Sequence, residues 1–173
     1  MIQNKEQVQQ VVQELQSLDG PWVAMGIGMI GVGKTALLEP VAKQLDVDRV
    51  CLGGIRYQLT GSEADPSQDL RAWRIAHGDI EAAVRRGDSV IVDAAFTQQI
   101  SRARNVLLYR NFGAVTVAGI HIEAPLNTAI LRDRARGNRS SGAGLVRKTD
   151  KELRIGVPVL ADGFDKLIRV KVG

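Results

Sequence analysis

Apolar residues near the start of the chain recur at helical spacing and leave a face of glutamines opposite them. They lie at Val8, Val11, Val12, Leu15 and Leu18. This period predicts an amphipathic helix within residues 1–19 that packs one face on a core and that Gly20-Pro21 ends.

Five short apolar runs follow, and none shows the period-two alternation of a half-buried strand. They are WVAMGI (22–27), DRVCLGG (48–54), SVIVDAA (89–95), AVTVAGIHI (114–122) and KLIRVKV (166–172). Helical stretches lie between them, at about 34–45, 68–86, 98–111, 125–136 and 148–155. Strands of this kind that alternate with helices predict a parallel sheet covered on both faces, and therefore one three-layer α/β domain over residues 1–173.

Three local features bear on this pattern. Pro40 falls inside the helix predicted over 34–45, where it removes a backbone donor and is expected to kink or end the helix. Gly53 and Gly54 follow the second apolar run, where glycines are ordinarily turn residues with positive φ. The segment GNRSSGAG (137–144) is rich in Gly and Ser and is expected to form a mobile loop.

The composition fits a single unit. Of 173 residues, 45% are hydrophobic, which is enough for one sizeable core. No targeting pattern opens the chain and no apolar run has the length of a membrane span, so we expect a cytoplasmic protein without a membrane partner. Cys51 is the single cysteine and lies in an apolar run, which favours a buried thiol over a reactive one.

The net charge of +4 permits a phosphate-rich partner but does not require one. Aromatic residues make up 4% of the chain, which argues against a platform that stacks on bases. A polynucleotide bound here would therefore be held by its backbone phosphates.

The most specific motif is GMIGVGKT (28–35), which satisfies G-x-x-x-x-G-K-[ST] between an apolar strand and a helix. Its glycines let backbone N–H groups point inward at phosphate oxygens, and the helix N-terminus adds to the attraction. Lys34 is expected to reach the β- and γ-phosphates of ATP, and the Thr35 hydroxyl to hold Mg²⁺. The predicted nucleotide-binding residues are Gly28, Gly31, Val32, Gly33, Lys34, Thr35 and Ala36.

Asp93 and a group of arginines supply further candidate chemistry. Asp93 ends an apolar strand, where a carboxylate can face the phosphates, the metal or an acceptor hydroxyl, although strand-end aspartates also cap helices. Arg136 and Arg139 lie among glycines, a composition typical of a lid loop, here about 137–149, that closes over a transferred phosphoryl group. Solvated surface arginines are the alternative interpretation.

Taken in order, these motifs resemble those of polynucleotide-kinase-like and zeta-toxin-like P-loop kinases, in a small bacterial form that consists of the kinase domain alone. The resemblance runs from about Trp22 to the C-terminus. It rests on GMIGVGKT, IRYQLTG (55–61) with the acidic SEADPSQD (62–69), VIVDAA (90–95), Arg102 with Arg104, Arg132 with Arg136, and DGFD (162–165).

The resemblance implies a five-stranded parallel core and transfer of the ATP γ-phosphate to a hydroxyl acceptor, for example the 5′ end of a nucleic acid. It implies catalytic roles for Lys34 and Asp93 and lid roles for Arg132, Arg136 and Arg139. It further implies an acceptor-side role for Arg56 and phosphate contacts from Arg102 or Arg104. Gly163 and Phe164 would lie near the adenine.

Two positions depart from the family pattern. Three residues before Arg56 the family commonly has an aspartate that acts as general base, and this chain has Gly53; the usual Asp-Ala-Thr-Asn is Asp93-Ala94-Ala95-Phe96. A general base is worth about 10² to 10⁴ in rate, yet phosphoryl transfer depends mostly on positioning and charge stabilisation.

Two functions therefore stay open. One is a kinase, in which Asp93 is a candidate substitute base, and the other is a nucleotide-binding module or weak ATPase. A GTPase switch is less favoured, since no N-K-x-D signature follows the sheet.

Overall fold

The computed structural model describes residues 4–173, in which a single sheet of five parallel strands forms the middle layer. The strands are β1 (Trp22–Ile27), β2 (Asp48–Cys51), β3 (Val90–Asp93), β4 (Thr116–Glu123) and β5 (Lys166–Lys171). Their order is β2-β3-β1-β4-β5, and every neighbouring pair is parallel. The predicted five-stranded parallel sheet is confirmed.

Helices pack on both faces of this sheet. Within the described range they are α1 (Asn4–Gln16), α2 (Lys34–Leu45), α3 (Leu52–Thr60), α4 (Asp69–Arg85), α5 (Gln99–Phe112), α6 (Leu126–Ala135) and α7 (Ala143–Ile155). One apolar core joins the sheet to α1, α2, α6 and α7, and a second joins it to α4 and α5. Successive residues of a strand pack into opposite cores, as Ala24 and Met25 of β1 do.

The predicted N-terminal helix is present from Asn4, and Val11 and Leu15 on its apolar face are fully buried. Residues 1–3 of the predicted range lie outside the described residues. None of the helices in residues 4–173 has the length and apolar character that a membrane crossing needs.

Two local expectations are corrected. Pro40 does not end α2, which runs from Lys34 to Leu45 because buried residues on both sides of the proline, Leu38 and Val41, fix the helix on the sheet. Gly53 and Gly54 are not turn residues with positive φ; β2 ends at Cys51 and both glycines lie in the first turn of α3.

The carboxyl ends of β1, β2 and β3 meet at one edge of the sheet. Gly26 of β1 and Cys51 of β2 both lie opposite Asp93, the last residue of β3. The segment 28–35 leaves β1 at this edge, and α3 leaves β2 there. The fold therefore brings the predicted phosphate loop, the strand-end aspartate and the first turn of α3 together.

Candidate nucleotide and acceptor site

The phosphate loop, residues 28–35, is shaped by positions that exclude a side chain. A Cβ atom at Gly28 would lie 2.8 Å from Val32 Cγ1 and 2.9 Å from the Ile122 carbonyl oxygen. Gly31 and Gly33 have φ values of 79° and 106°, in the left-handed region that favours glycine. The loop can therefore curl as a phosphate-binding backbone requires.

The variant Gly31→Ala should lose far more stability than the matched variant Gly61→Ala. The two glycines have φ values of 79° and 78°, so a conformational cost of about 1 kcal/mol is common to both variants. A Cβ atom at Gly31 would lie 2.3 Å from Ala129 O, whereas one at Gly61 meets nothing within 4 Å. Overpacking should add about 2 kcal/mol for Gly31→Ala. Urea unfolding measures both free energies, and equal losses would contradict the close contact between the loop and α6.

Lys34, the first residue of α2, turns its ammonium group back over the loop. Its Nζ donates hydrogen bonds to Gly28 O at 2.9 Å and to Met29 O at 3.0 Å. Burial lowers the pKa of Lys34, and the nearby Asp93 carboxylate opposes that shift. The group lies where the lysine of a P-loop binds the β- and γ-phosphates.

The carboxylate of Asp93 is 3% exposed and has two donors on one oxygen. Thr35 Oγ1 donates to Oδ2 at 2.9 Å, and Arg49 Nη1 donates to the same oxygen at 2.7 Å. In P-loop NTPases a hydroxyl after the lysine and a strand-end carboxylate hold Mg²⁺. The structure thus brings together the two residues that the sequence predicts for the metal.

Cys51 should react slowly with an alkylating reagent, although it lies at the site. Burial raises the pKa of its thiol, and the negative charge of Asp93 raises it further, against the opposing effects of the Gly54 backbone N–H and the Arg49 guanidinium. Because the thiolate is the nucleophile, the iodoacetamide rate should keep rising with pH above about 8.5, the ordinary cysteine value. Mass spectrometry at this single cysteine gives the rate directly, with urea-unfolded protein as the control. A midpoint below that of the unfolded chain would contradict this environment.

Helices α6 and α7 hold the phosphate loop from its outer side. Arg132 Nη1 donates to Val32 O at 2.7 Å, and the backbone N–H of Ile30 donates to Thr149 Oγ1 at 3.2 Å. Arg132, which the sequence predicts as a lid residue, therefore binds the backbone of the phosphate loop in this structure.

One carboxylate organises the segment predicted as a mobile lid. Asp133 accepts hydrogen bonds from Ser140 Oγ at 2.6 Å and from the backbone N–H groups of Ser141 and Gly142, both at 3.0 Å. Burial alone raises the pKa of Asp133, but these hydrogen bonds outweigh burial and hold the pKa below its usual value. Residues 143–149 are not a loop, because α7 begins at Ala143 directly after this turn.

The two arginines Arg136 and Arg139, here called the lid arginines, converge on Glu63. Arg136 Nη2 is paired with Glu63 Oε2, and Arg139 Nη2 donates to Glu63 Oε1 at 2.6 Å. The Arg139 guanidinium also lies 4.8 Å above the centre of the Tyr57 ring. The lid arginines thus connect α6 and the segment after it to α3 and to the loop that follows α3.

Arg56 of α3, for which the resemblance implies an acceptor-side role, forms a two-pronged pair with Asp69 at the start of α4. Its Nε and Nη2 donate to the two carboxylate oxygens at 2.6 and 3.1 Å. Gly53, three residues earlier, carries no side chain, and a Cβ atom built there would lie 3.6 Å from Glu63 Oε2. The expected position of the base therefore faces the carboxylate that the lid arginines bind.

Arg102 is not at the site, which corrects the predicted phosphate contact. Its side chain is 0% exposed, and its Nε donates to Asp162 Oδ2 at 2.7 Å. Its other N–H groups donate to the carbonyl oxygens of Phe96, Thr97 and Gly156. Arg102 therefore stabilises the fold through these buried contacts, while Arg104 is exposed on α5.

The predicted adenine contact of Gly163 and Phe164 is also corrected. Both residues precede β5 and so lie toward the amino edge of the sheet, whereas the phosphate loop leaves the carboxyl edge. A Cβ atom at Gly163 would lie 3.1 Å from Val106 Cγ1, and Phe164 is buried in the α5-side core. Among the predicted loop residues, Val32 is also buried in a core, and Ala36 is exposed in the first turn of α2.

Arg49 and Glu63 are the site residues that sequence reasoning missed. A charged residue inside the second apolar run points to a partner on the neighbouring strand, and for Arg49 that partner is Asp93. Glu63 belongs to the acidic segment 62–69, but no local pattern singles it out from Asp65 or Asp69.

The protein has a P-loop kinase-like fold. Its five-stranded parallel sheet carries a glycine-rich phosphate loop with its lysine, a strand-end aspartate beside that loop, and the lid arginines. A protein-family model described as an AAA domain (AAA_33) matches residues 23–152, and the chain belongs to this family. No curated protein matches the chain significantly.

Several solved structures share the fold at low sequence identity. The Pnkp1/Rnl/Hen1 RNA repair complex matches with a TM-score of 0.69 and 17% identity over 82% of this chain, which spans about half (47%) of that chain. A gluconokinase from Sinorhizobium meliloti 1021 matches with a TM-score of 0.59 and 15% identity, covering 90% of this chain and 85% of that one. A chain of the PezAT chromosomal toxin-antitoxin system of Streptococcus pneumoniae matches with a TM-score of 0.63 and 13% identity, covering 96% of this chain and 78% of that one.

Proposed function

We propose that this protein transfers the γ-phosphate of ATP to a hydroxyl acceptor. The observation that carries the proposal is the convergence, at one edge of the sheet, of Lys34 in its glycine loop with the Thr35–Asp93 pair. The lid arginines, which pair with Glu63, are assigned here to the acceptor side of that loop. Such an arrangement supplies the positioning and charge stabilisation on which phosphoryl transfer mostly depends.

The residues present fit ATP and Mg²⁺. The positive φ values of Gly31 and Gly33 let the loop backbone curl as a phosphate-binding loop requires. A hydroxyl and a carboxylate oxygen, here those of Thr35 and Asp93, are ligands that Mg²⁺ prefers. Thr35 and Asp93 would hold the ion, which when bound neutralises charge on the β- and γ-phosphates. Arg49, on the same oxygen of Asp93, keeps that carboxylate oriented.

We assign the lid arginine Arg136 to the transferred phosphoryl group. Its Nη1 lies 3.9 Å from Asp133 Oδ1, and Asp133 Cβ lies 3.3 Å from a Cβ atom built on Gly31, so this arginine adjoins the phosphate loop. Its planar fork of donors suits the equatorial oxygens of the phosphoryl group. Arg132 supports the loop through Val32 O, so we assign it to positioning the loop.

We name the 5′ end of a nucleic acid as the first acceptor class to test. The basic residues of α6, of the segment after it and of α7 can hold backbone phosphates. We also assign Arg56 to the acceptor, for which its fork of donors would leave Asp69, its partner in this structure. The fold likeness to the RNA repair complex favours the same class. Gluconokinase has a similar fold, so small hydroxyl compounds belong in the same panel.

The glycine at position 53 supports a second candidate function, a nucleotide-binding module or weak ATPase. With no side chain at the expected base position, ATP could bind without passing its phosphate to an acceptor.

Incubation of the protein with γ-labelled Mg-ATP and an acceptor panel separates the two functions. The panel comprises 5′-hydroxyl oligonucleotides of RNA and DNA, nucleosides and sugars, and EDTA supplies the metal-free control. We expect label to pass to one acceptor class and to be lost with EDTA. Binding of ATP without label on any acceptor would reject the kinase and leave the module.

A further inference from the structure

Glu63 lies beside the position at which the general base is expected. The residue follows α3 by three positions, and its side chain is 16% exposed. A Cβ atom built on Gly53 would meet three atoms of Glu63, with Oε2 nearest at 3.6 Å, Cδ at 3.7 Å and Cγ at 3.8 Å. A carboxylate from the loop after α3 therefore adjoins the space that an aspartate on α3 would use.

The surroundings of this carboxylate face the phosphate loop. Both of its oxygens bind lid arginines. Arg136 Nη1 also lies 3.9 Å from Asp133 Oδ1, and Asp133 Cβ lies 3.3 Å from a Cβ atom built on Gly31 of the phosphate loop. Arg139 is in turn held over Tyr57 of α3. Glu63 is thus placed between α3 and the arginines assigned to the phosphoryl group.

We propose that Glu63 is the acceptor-side base of this protein and replaces, from a different position in the chain, the carboxylate absent at Gly53. The proposal rests on the kinase function proposed above. The acceptor hydroxyl oxygen forms a bond to the γ-phosphorus while the bond from that phosphorus to the β,γ-bridging oxygen breaks. The bridging electron pair leaves with ADP, and the hydroxyl proton passes to the Glu63 carboxylate.

The ion pairs in this structure agree with such a role. In this structure the lid arginines hold both oxygens of the Glu63 carboxylate beside Gly53. When phosphate oxygens take over the guanidinium groups, the carboxylate loses these partners beside the acceptor and becomes free to accept the hydroxyl proton. Gly53 itself places no side chain between α3 and this carboxylate.

The first test compares Glu63→Gln with Asp65→Asn. Both substitutions remove one negative charge from the same acidic segment, but Asp65 binds the backbone N–H of Ser67 instead of the lid arginines. With the acceptor that takes most label, beginning with a 5′-hydroxyl oligonucleotide, we expect Glu63→Gln to lower kcat by about 10² to 10⁴. The kcat of Asp65→Asn should stay within about threefold of that of the unmodified protein, because Asp65 lies on the surface.

The pH dependence of kcat distinguishes a base from a structural ion pair. A base gives the unmodified protein an acidic limb, in which kcat falls as the carboxylate takes a proton, and Glu63→Gln should lack that limb. Mg-ATP affinity should change little in Glu63→Gln, because the phosphate loop is intact. If Glu63 only tied the lid arginines together, the acidic limb would persist in the variant.

The double variant Gly53→Asp with Glu63→Gln supplies a second readout. A side chain at position 53 meets only ordinary van der Waals contacts, so an aspartate fits. We expect kcat of the double variant to be at least about tenfold higher than that of Glu63→Gln, because a base is restored at the neighbouring position.

Transfer by Glu63→Gln within threefold of the unmodified protein, or faster transfer, would overturn the inference and leave the kinase function standing. Failure of the unmodified protein to label any acceptor while it binds ATP would overturn both.

Discussion

Replacing Lys34 with methionine will remove most of the affinity for Mg-ATP and nearly all phosphoryl transfer. The variant keeps the aliphatic stem and loses the ammonium group that donates to Gly28 O and Met29 O. Charge-assisted hydrogen bonds of about 1.5 to 3 kcal/mol correspond to a loss of roughly ten- to a hundredfold in affinity. Loss of a donor that stabilises charge developing in the transition state should lower kcat by a further factor of about 10² to 10³.

Calorimetric titration with Mg-ATP measures the affinity, and label transfer measures kcat. Lys43→Met is the matched control, since Lys43 is exposed on the same helix and lies outside the phosphate loop. Urea unfolding of both variants detects any stability that Lys34 contributes through the two loop carbonyls. Affinity retained within about threefold in a folded Lys34→Met protein would contradict nucleotide binding by this loop.

The second large effect is on stability. Arg102→Met should lower the free energy of unfolding by about 3 to 5 kcal/mol, because it removes one partner of a buried ion pair. The variant leaves the Asp162 carboxylate buried without its guanidinium partner, and Asp162 Oδ1 has no hydrogen-bond partner even with Arg102 present. It also leaves the carbonyl groups of Phe96, Thr97 and Gly156 without their donor. The loop after β3 is thereby released from α5.

The free energy of unfolding in urea measures this cost, with Arg104→Met as the matched control on the exposed side of α5. Arg104→Met should change stability by no more than about 0.5 kcal/mol. The double variant Arg102→Met with Asp162→Asn should recover part of the loss, because it removes the buried charge and leaves only neutral groups unpaired. It also keeps the comparison measurable if Arg102→Met alone does not fold. A cost of less than about 1 kcal/mol for a folded Arg102→Met protein would contradict the role of this buried pair.

Several features follow from the sequence because their causes are local. The apolar runs without alternation belong to strands covered on both faces, so the parallel sheet can be inferred before any contact is known. The phosphate loop is one contiguous segment, and the conformations of Gly31 and Gly33 are those its motif requires. Asp93 was found because strand ends of a parallel sheet share an edge with that loop.

The roles of the arginines and glycines depend on partners far away in the chain. Arg102 pairs with an aspartate 60 residues later, and Arg136 with a glutamate 73 residues earlier. Spacing along α5 does not distinguish buried Arg102 from exposed Arg104, since only the packing of α5 against the segment before β5 makes that difference. The motif DGFD suggested a nucleotide contact, but the direction of β5 places it toward the opposite edge.

By itself the sequence determined the layered α/β fold, the phosphate loop and the strand aspartate, because hydrophobic period and a contiguous backbone motif are local properties. It also determined that Gly53 carries no base. Only the tertiary structure decided what stands next to that glycine, because the chain returns after α3 and places the Glu63 carboxylate there, between α3 and the lid arginines. A charge acts through distance in space, and that distance exists only once the helices have packed on the sheet.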